Sequence, residues 1–296
     1  MFDAAAVVRQ WESFYPERFW VDASLVSFNT VDCDLFLPEA SFVVDEGFVL
    51  LKMSAAGRAW EGDAAPTAHV SAMGFASPES GRRLLERARA SLAELGIVRW
   101  QYGGDWRHFF PGVPAECDGL ARLLSSCGFE KKEAQYDVER DLQGYEPPVP
   151  TSGFARPCVA ADVGDLGSFL AREFPGRWHR DAMDKFAEDP SRIVGLFLDG
   201  ACQGFSMTQM DGDLRQRAGA VWSASLGPHW AALGPIGVAK ELRGQGHGHA
   251  LLGSALCALR DQGARRTIID WTTLTEFYGA HGFVVTREYA TWVGRV

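Results

Sequence analysis

The most informative part of this sequence is the stretch Val238-Ala-Lys-Glu-Leu-Arg-Gly-Gln-Gly-His-Gly-His249, in which three glycines alternate with polar residues. A strand is predicted before it over 231–238, where Gly234-Pro235 indicates a kink or a bulge. A helix is predicted after it over 250–262. Unpaired N–H groups converge at a helix start and the helix dipole adds positive potential, so the turn predicts an anion site.

The composition and the charge exclude several classes of function. The formal net charge of −9 has no basic run to offset it, so a nucleic acid would be repelled whereas a cationic amine would be tolerated. No apolar run approaches the length of a spanning helix and no signal peptide is recognisable, so we expect a cytoplasmic protein without a membrane partner. The six cysteines lack CxxC or CxxH spacing, which predicts reduced thiols and no metal site.

The chain is long enough for two domains, and a cluster of prolines and glycines over 143–153 has the composition of a linker. We therefore predict domains at 1–145 and 146–296. The pair Leu84-Leu85 recurs 167 residues later as Leu251-Leu252, which predicts a duplicated α/β unit. The first half carries an aromatic insert over 103–119, which is expected either to reach an acceptor or simply to pack on its own domain.

Two motifs resemble those of the GNAT acetyltransferases. The family signature Gln/Arg-x-x-Gly-x-Gly/Ala is filled by Arg243, Gly246 and Gly248, and the later landmark Phe-Tyr-x-x-x-Gly-Phe stands at 277–283. Many family members have an asparagine seven residues before the tyrosine of that landmark, whereas Trp271 occupies the position here. The tandem arrangement is most similar to that of glucosamine and glucosaminide N-acetyltransferases.

The resemblance implies a fold, a cofactor and a set of roles. It implies an α/β fold of two tandem GNAT-like domains, each with a mixed, mostly antiparallel sheet flanked by helices. Acetyl-CoA is implied as the co-substrate of direct transfer through a tetrahedral intermediate, with Tyr278 protonating the departing thiolate. The implied coenzyme-binding residues lie in the strand and the turn: Ile236, Gly237, Val238, Arg243, Gly244, Gln245, Gly246, His247, Gly248 and His249.

The same comparison predicts that the first half is a degenerate copy. At the offset of 167 residues, Ala76 and Glu79 replace the arginine and the first glycine of the signature, and Gly81 matches its second glycine. Glu79 would repel a pyrophosphate, and Pro78 removes an N–H donor. We therefore expect no coenzyme site in residues 1–145.

Three further residues are predicted to serve the acceptor side. His229 has the intrinsic pKa of a general base, although a lone loop histidine is more often structural. Asp270 lies at the end of a predicted strand, where it could hold a cationic amine, take part in catalysis or only cap a helix. Trp178 suits stacking against a sugar, or it anchors a turn between two predicted helices.

The sequence thus predicts an N-acetyltransferase for a small amine, with an amino sugar favoured. An aminoglycoside, a polyamine, a thiol precursor or a protein amine remains an alternative acceptor. A non-catalytic module that senses acyl-CoA or binds a partner is a further alternative. The oligomeric state is left open between a monomer and a homodimer.

Overall fold

The computed structural model describes residues 2–54, 66–148, 155–213 and 220–296. The predicted linker over 143–153 therefore lies partly outside the described residues. The chain divides into two compact units, the first made of Met1–Gln135 with Arg287–Val296 and the second of Tyr136–Thr286. The first unit thus ends before residue 145 and includes the last ten residues of the chain, which our prediction had assigned to the second domain.

The elements before the linker are α1 (Ala4–Phe14), α2 (Ala23–Asn29), β1 (Phe42–Val44), β2 (Gly47–Ser54), β3 (Thr67–Phe75), α3 (Pro78–Glu94), β4 (Arg99–Tyr102), β5 (Val113–Pro114), α4 (Asp118–Ser126) and β6 (Glu130–Asp141). Those after it are β7 (Ala155–Pro157), α5 (Val163–Glu173), α6 (Arg177–Glu188), β8 (Ile193–Leu198), β9 (Ala201–Met210), α7 (Ser223–Leu226), β10 (Trp230–Val238), α8 (His247–Asp261), β11 (Arg266–Thr272), α9 (Thr275–Gly279) and β12 (Val284–Arg295).

The second unit has a mixed, mostly antiparallel sheet in the order β6-β11-β10-β9-β8-β7. Strands β10 and β11 run parallel on either side of the α8 crossover, whereas the pairs β9–β10 and β8–β9 are antiparallel. The hairpin between β8 and β9 turns at Asp199 and Gly200, whose positive φ values of 50° and 79° are typical of the type I′ turn that Asp-Gly favours.

Helices cover both faces of this sheet. Strand residues alternate between the faces, so Val194 and Leu196 of β8 pack in the cluster that contains α8, while Ile193 packs in the cluster that contains α5 and α6. Helix α8 buries four leucines, at positions 251, 252, 256 and 259. Each contributes about 1.5–3 kcal/mol relative to an exposed side chain, so this helix is firmly held against the sheet.

The first unit follows the same order of elements, with β3 and β4 parallel on either side of α3. Its sheet runs β1-β2-β3-β4-β12, and β5 also pairs with β12. The aromatic insert packs within this unit, where Phe109 and Phe110 are fully buried and Trp11 stacks on Phe110. This packing on its own unit is the simpler of our two predictions for the insert.

Among the described residues, no helix combines the length and the apolar character that crossing a membrane requires.

Candidate active site

The glycine turn between β10 and α8 has the left-handed backbone that its sequence predicts. Gly244 and Gly246 have φ values of 77° and 84°, and a Cβ added at either would meet no atom within 4 Å. The need for glycine therefore comes from backbone conformation and not from crowding. The open space over both residues leaves the main chain accessible to a ligand.

Helix α8 begins without a side-chain cap. Its N-cap is Gly246, which has no side chain to cap the helix, and within the described residues the first turn contains no acidic residue. The N–H groups of a first helical turn normally find a partner, so their availability beside a glycine turn suits a bound anion.

The corresponding helix of the first unit, α3, is capped by side chains at its N-terminus, whereas the N-cap of α8 is a glycine. Ser77 and Ser80 form a capping box at the start of α3, with a distance of 3.2 Å from the Ser80 nitrogen to the Ser77 Oγ. Pro78 provides no N–H, and the Glu79 carboxylate lies in the first turn. An anion would therefore find no N–H at Pro78, an N–H of Ser80 that is already bonded to Ser77, and the repelling carboxylate of Glu79 at this helix.

Strands β10 and β11 separate beside the glycine turn. Their ladder comprises three pairs, from Trp230–Arg266 to Ala232–Ile268, although both strands continue. Beyond it, β10 shifts register against β9 between Leu233 and Ile236, which confirms the predicted bulge. Strand β11 shifts register against β6 at the same level, between Ile269 and Thr272. Two bulged strands without a mutual ladder leave backbone groups available for an extended ligand.

The predicted strand residues of the coenzyme site line this opening. Ile236, Gly237 and Val238 pair with β9 opposite Ser206, Phe205 and Gly204. Their β11-facing edge has no ladder partner within the described chain. Gly237 lies against the Phe174 ring so closely that a Cβ would clash, which explains glycine at this position.

The side chains of the turn are mostly exposed. Arg243 is solvent-exposed, and its Nε lies 3.4 Å from the Val238 carbonyl oxygen. Gln245 donates from Nε2 to the Glu241 carbonyl at 2.6 Å. Gln245 is uncharged and is turned back on the chain, whereas the exposed Arg243 carries a positive charge beside the turn.

Tyr278 is buried in α9 among the residues that pack under α8. Burial raises the pKa of its hydroxyl, and the negative charge of Asp270 raises it further. The phenol therefore keeps its proton at neutral pH. Such a group can donate a proton to a stronger base formed beside it but cannot act as a base itself.

Asp270 and Trp271 lie at the bulge of β11. Trp271 has a φ of 51°, and its N–H donates to Oδ1 of the fully buried Asp137 at 3.2 Å. The Arg177 guanidinium lies 5.3 Å from the centre of the Trp271 ring. The left-handed backbone thus turns the strand out of its pairing at the level where β10 is also bulged.

The structure does not bring His229 to this group of residues. His229 is exposed in the turn before β10, where its N–H donates to Asp211. It precedes the bulge residue Leu233 by four positions, or about 13 Å along an extended strand. Its position therefore separates it from Asp270, whose strand position is level with the bulge.

Trp178 also differs from its predicted setting. Helix α6 begins at Arg177, because Gly176 with a φ of 86° allows the turn into it, so Trp178 is helical and not in a loop. Its ring packs against Phe174 at 5.3 Å and Phe205 at 6.2 Å. This setting agrees with the anchoring interpretation of Trp178.

The contacts of His281 and Tyr145 near the turn were not predicted. His281 is buried, with Nδ1 2.7 Å from the Tyr145 hydroxyl and Nε2 3.0 Å from Nδ1 of His249. Burial, together with His249 and Arg140, lowers the pKa of His281 to about 4. Because His281 occupies a variable position of its motif, the sequence offers no signal for this contact.

No group of three or more potential metal-ligating side chains occurs in the part of the chain that the structure describes.

The start of α8 thus offers backbone donors to an anion beside two separated parallel strands, and a protonated tyrosine lies beyond the second strand. Residues 164–284 match the model of the Acetyltransferase (GNAT) family. The match lies within the second unit, so this unit carries a GNAT acetyltransferase domain. No protein with curated function matches the sequence.

Several solved structures share the fold. A glucosamine N-acetyltransferase region of a fungal multi-domain GH3 β-N-acetylglucosaminidase has a TM-score of 0.84 at 18% identity, over 98% of this chain and 37% of that one. A GCN5-related N-acetyltransferase from Sphaerobacter thermophilus has a TM-score of 0.65 at 14% identity, over 99% of this chain and 90% of that one. A tandem GNAT protein from the clavulanic acid biosynthesis pathway has a TM-score of 0.62 at 16% identity, over 99% of this chain and 93% of that one.

The chain thus spans little more than a third of the fungal protein's length. The likeness to the tandem protein extends over nearly the whole chain. Together with the repeated order of elements, it identifies the two units as two GNAT-like folds.

Proposed function

We propose that the second unit binds acetyl-CoA at the α8 turn and transfers its acetyl group to the amine of an amino sugar. The observation that carries this proposal is the uncapped start of α8 beside the separated strands β10 and β11. A pyrophosphate needs convergent N–H donors, and a pantetheine arm needs an extended edge to pair with. Both needs are met within one stretch, from Ile236 to His249.

The roles in coenzyme binding follow from this arrangement. The N–H groups from Gly244 to His249 hold the pyrophosphate, and Arg243 adds positive charge. The unpaired edge from Ile236 to Val238 holds the pantetheine arm. The coenzyme supplies the acetyl thioester, and the protein supplies position and charge.

Tyr278 acts as the acid. Its buried hydroxyl stays protonated at neutral pH, mainly because burial raises its pKa, so it can donate to the leaving sulfur. Asp270 offers a carboxylate to the ammonium form of the acceptor and takes up its proton, so that the neutral amine attacks the thioester carbonyl as the bond to sulfur breaks. His229 has no role in this proposal because it lies away from the bulge, and Trp178 has none because its ring packs against Phe174 and Phe205.

An amino sugar as the acceptor is supported by two observations. The net charge of −9 and the carboxylate at the bulge favour a cationic amine. The fold resembles a glucosamine N-acetyltransferase region over 98% of this chain.

The first unit holds no coenzyme in this proposal. The capping box of Ser77 and Ser80, the proline at 78 and the carboxylate of Glu79 all act against an anion at α3. Helix α3 lies in the first unit and α8 in the second, so the proposal assigns one coenzyme site to the chain.

The proposal is tested by thiol release from acetyl-CoA with a panel of acceptors: glucosamine, an aminoglycoside, a polyamine, a thiol-bearing amine and a peptide with a free N-terminus. We expect the fastest release with glucosamine. If thiol is released with a different amine and not with glucosamine, that amine replaces the amino sugar as the proposed acceptor. Coenzyme binding without thiol release would favour a sensing module. Gly246→Asp is expected to abolish coenzyme binding and Ser80→Asp to preserve it, so equal losses would contradict a single site.

A further inference from the structure

Three polar side chains form a chain of hydrogen bonds that ends at the first turn of α8. The Tyr145 hydroxyl lies 2.7 Å from Nδ1 of His281, and Nε2 of His281 lies 3.0 Å from Nδ1 of His249. Tyr145 and His281 are each 2% exposed, while His249 is half-buried. The chain thus runs from the core of the second unit to the turn assigned to the coenzyme.

The geometry between the two imidazoles is that of an N–H donating in the plane of its acceptor. The rings of His249 and His281 are inclined by only 11°, and their centres are 5.2 Å apart. A hydrogen bond between two ring nitrogens requires one N–H and one lone pair. One of the two facing nitrogens therefore carries the proton and the other does not.

The hydroxyl of Tyr145 determines which of the two facing imidazole nitrogens carries the proton. Burial raises the pKa of Tyr145 to about 12, so the hydroxyl is protonated and needs an acceptor. Among the described residues, Nδ1 of His281 is the acceptor within its reach. A proton on that Nδ1 would leave a buried O–H unsatisfied, at a cost of about 1–3 kcal/mol.

The proton of the neutral His281 is therefore on Nε2, from which it donates to Nδ1 of His249. With Nδ1 occupied as an acceptor, a neutral His249 carries its own proton on Nε2. The surrounding groups keep His281 neutral, as this assignment requires. Arg140 donates to the His281 carbonyl and lies 4.3 Å from the centre of the Tyr145 ring, where its charge disfavours a second proton on His281.

We propose that His281 is a positioning residue that, with Tyr145, fixes His249 in the Nε2–H tautomer, so that His249 offers a neutral N–H donor to a coenzyme phosphate. The ligand in this statement rests on the proposed function, whereas the tautomer does not. Phe277, whose ring centre is 4.6 Å from that of His249, helps to hold the imidazole in place. A neutral donor contributes to phosphate binding without needing a protonated imidazole.

The tautomer is tested on the full-length protein without ligand, by ¹⁵N–¹H correlation spectra of the imidazoles at about pH 8, where an ordinary histidine is neutral. We expect His249 in the Nε2–H form. Tyr145→Phe keeps the ring in the core but removes the donor that sets the direction, so the Nδ1–H form of His249 should appear. Tyr136→Phe, a half-buried tyrosine outside the chain of hydrogen bonds, should leave the tautomer unchanged.

Coenzyme A binding by the same variants supplies the second measurement. We expect Tyr145→Phe to weaken binding by about two- to tenfold, the value of one hydrogen bond, and Tyr136→Phe to leave it unchanged. An Nδ1–H tautomer in the natural protein, or equal affinity in all three proteins, would overturn the inference. Failure of the natural protein to bind coenzyme A would instead refute the proposed function and leave the tautomer measurement standing.

Discussion

At the scale of single residues, Tyr278 provides the sharpest test of chemistry. Tyr278→Phe removes the proton donor and retains the ring that packs under α8. We expect kcat to fall by about a hundredfold or more, as for loss of a general acid, with little change in the Kd for coenzyme A. Steady-state kinetics together with coenzyme titration would measure both, and an unchanged kcat would remove Tyr278 from the mechanism.

The effect of a substitution at Gly246 on backbone conformation can be separated from its effect on coenzyme binding, because a matched glycine, Gly263, lies at the other end of α8. Gly246 and Gly263 have φ values of 84° and 97°, and neither has atoms within 4 Å of an added Cβ. Alanine at either position should cost about 1–2 kcal/mol of unfolding free energy. Only Gly246→Ala should also weaken coenzyme A binding, so denaturant unfolding and coenzyme titration of both variants are the measurements. Equal affinity losses would argue against a ligand at the turn.

These residues differ in how far the sequence could predict them. The left-handed conformation of Gly244 and Gly246 was predictable because it follows from a local pattern. The contact between Tyr145 and His281 joins residues 136 positions apart, so no local pattern carries it. For the same reason the exposed location of His229 emerged only from the register of β10 with β11.

At the scale of elements, the insert of the first unit is held by a buried ion pair. Lys52 of β2 contacts Asp105 at 2.7 Å and also donates to the Trp106 and Arg107 carbonyls, while Ser71 of β3 donates to Asp105 at 2.6 Å. Burial tends to raise the pKa of Asp105, but Lys52, His69 and the hydrogen bonds outweigh it, and the net shift is downward.

Lys52→Met should leave the Asp105 carboxylate buried without its cation and cost about 3–5 kcal/mol of unfolding free energy near neutral pH. The lowered pKa of Asp105 means that ionisation stabilises the fold above the unfolded value of about 3.9, and that this contribution disappears as the pH falls through the folded value. The difference between the two proteins should therefore shrink in acid.

Denaturant unfolding at several pH values measures this difference. The double variant Lys52→Met with Asp105→Asn serves as the control, since it removes both charges and should lose less stability than the two single losses added together. A pH-independent loss for Lys52→Met would contradict the ion-pair explanation.

Local patterns predicted most elements in the second unit but not all of their bounds. The hairpin at 193–210, helix α5 and the bulge in β10 follow from turn residues and apolar spacing. Helix α6 begins at Arg177, because Gly176 adopts a positive φ that the spacing of apolar residues does not reveal. This start places Trp178 in a helix, with its ring against Phe174, and not in a loop.

At the scale of the whole molecule, each unit is completed by a strand from the other half of the sequence. Trp292–Arg295 pairs with Arg99–Tyr102 in the first unit, and Tyr136–Asp141 pairs with β11 in the second. Apolar periodicity predicts that a segment is a strand but not which sheet it joins. The boundary at the proline-rich segment therefore could not be corrected from the sequence.

We expect a chain that ends at Thr286 to lose the strand that pairs with β4, although the removed segment lies far from β4 in sequence. Hydrogen exchange should show lost protection at Arg99–Tyr102, with protection retained in α8, which belongs to the second unit. Gly294→Val tests the same pairing without truncation, because its side chain would meet Trp100 at 2.7 Å, and Arg295→Val on the exposed neighbour is the control. If the shortened chain keeps full protection at β4, the last strand does not stabilise the first unit.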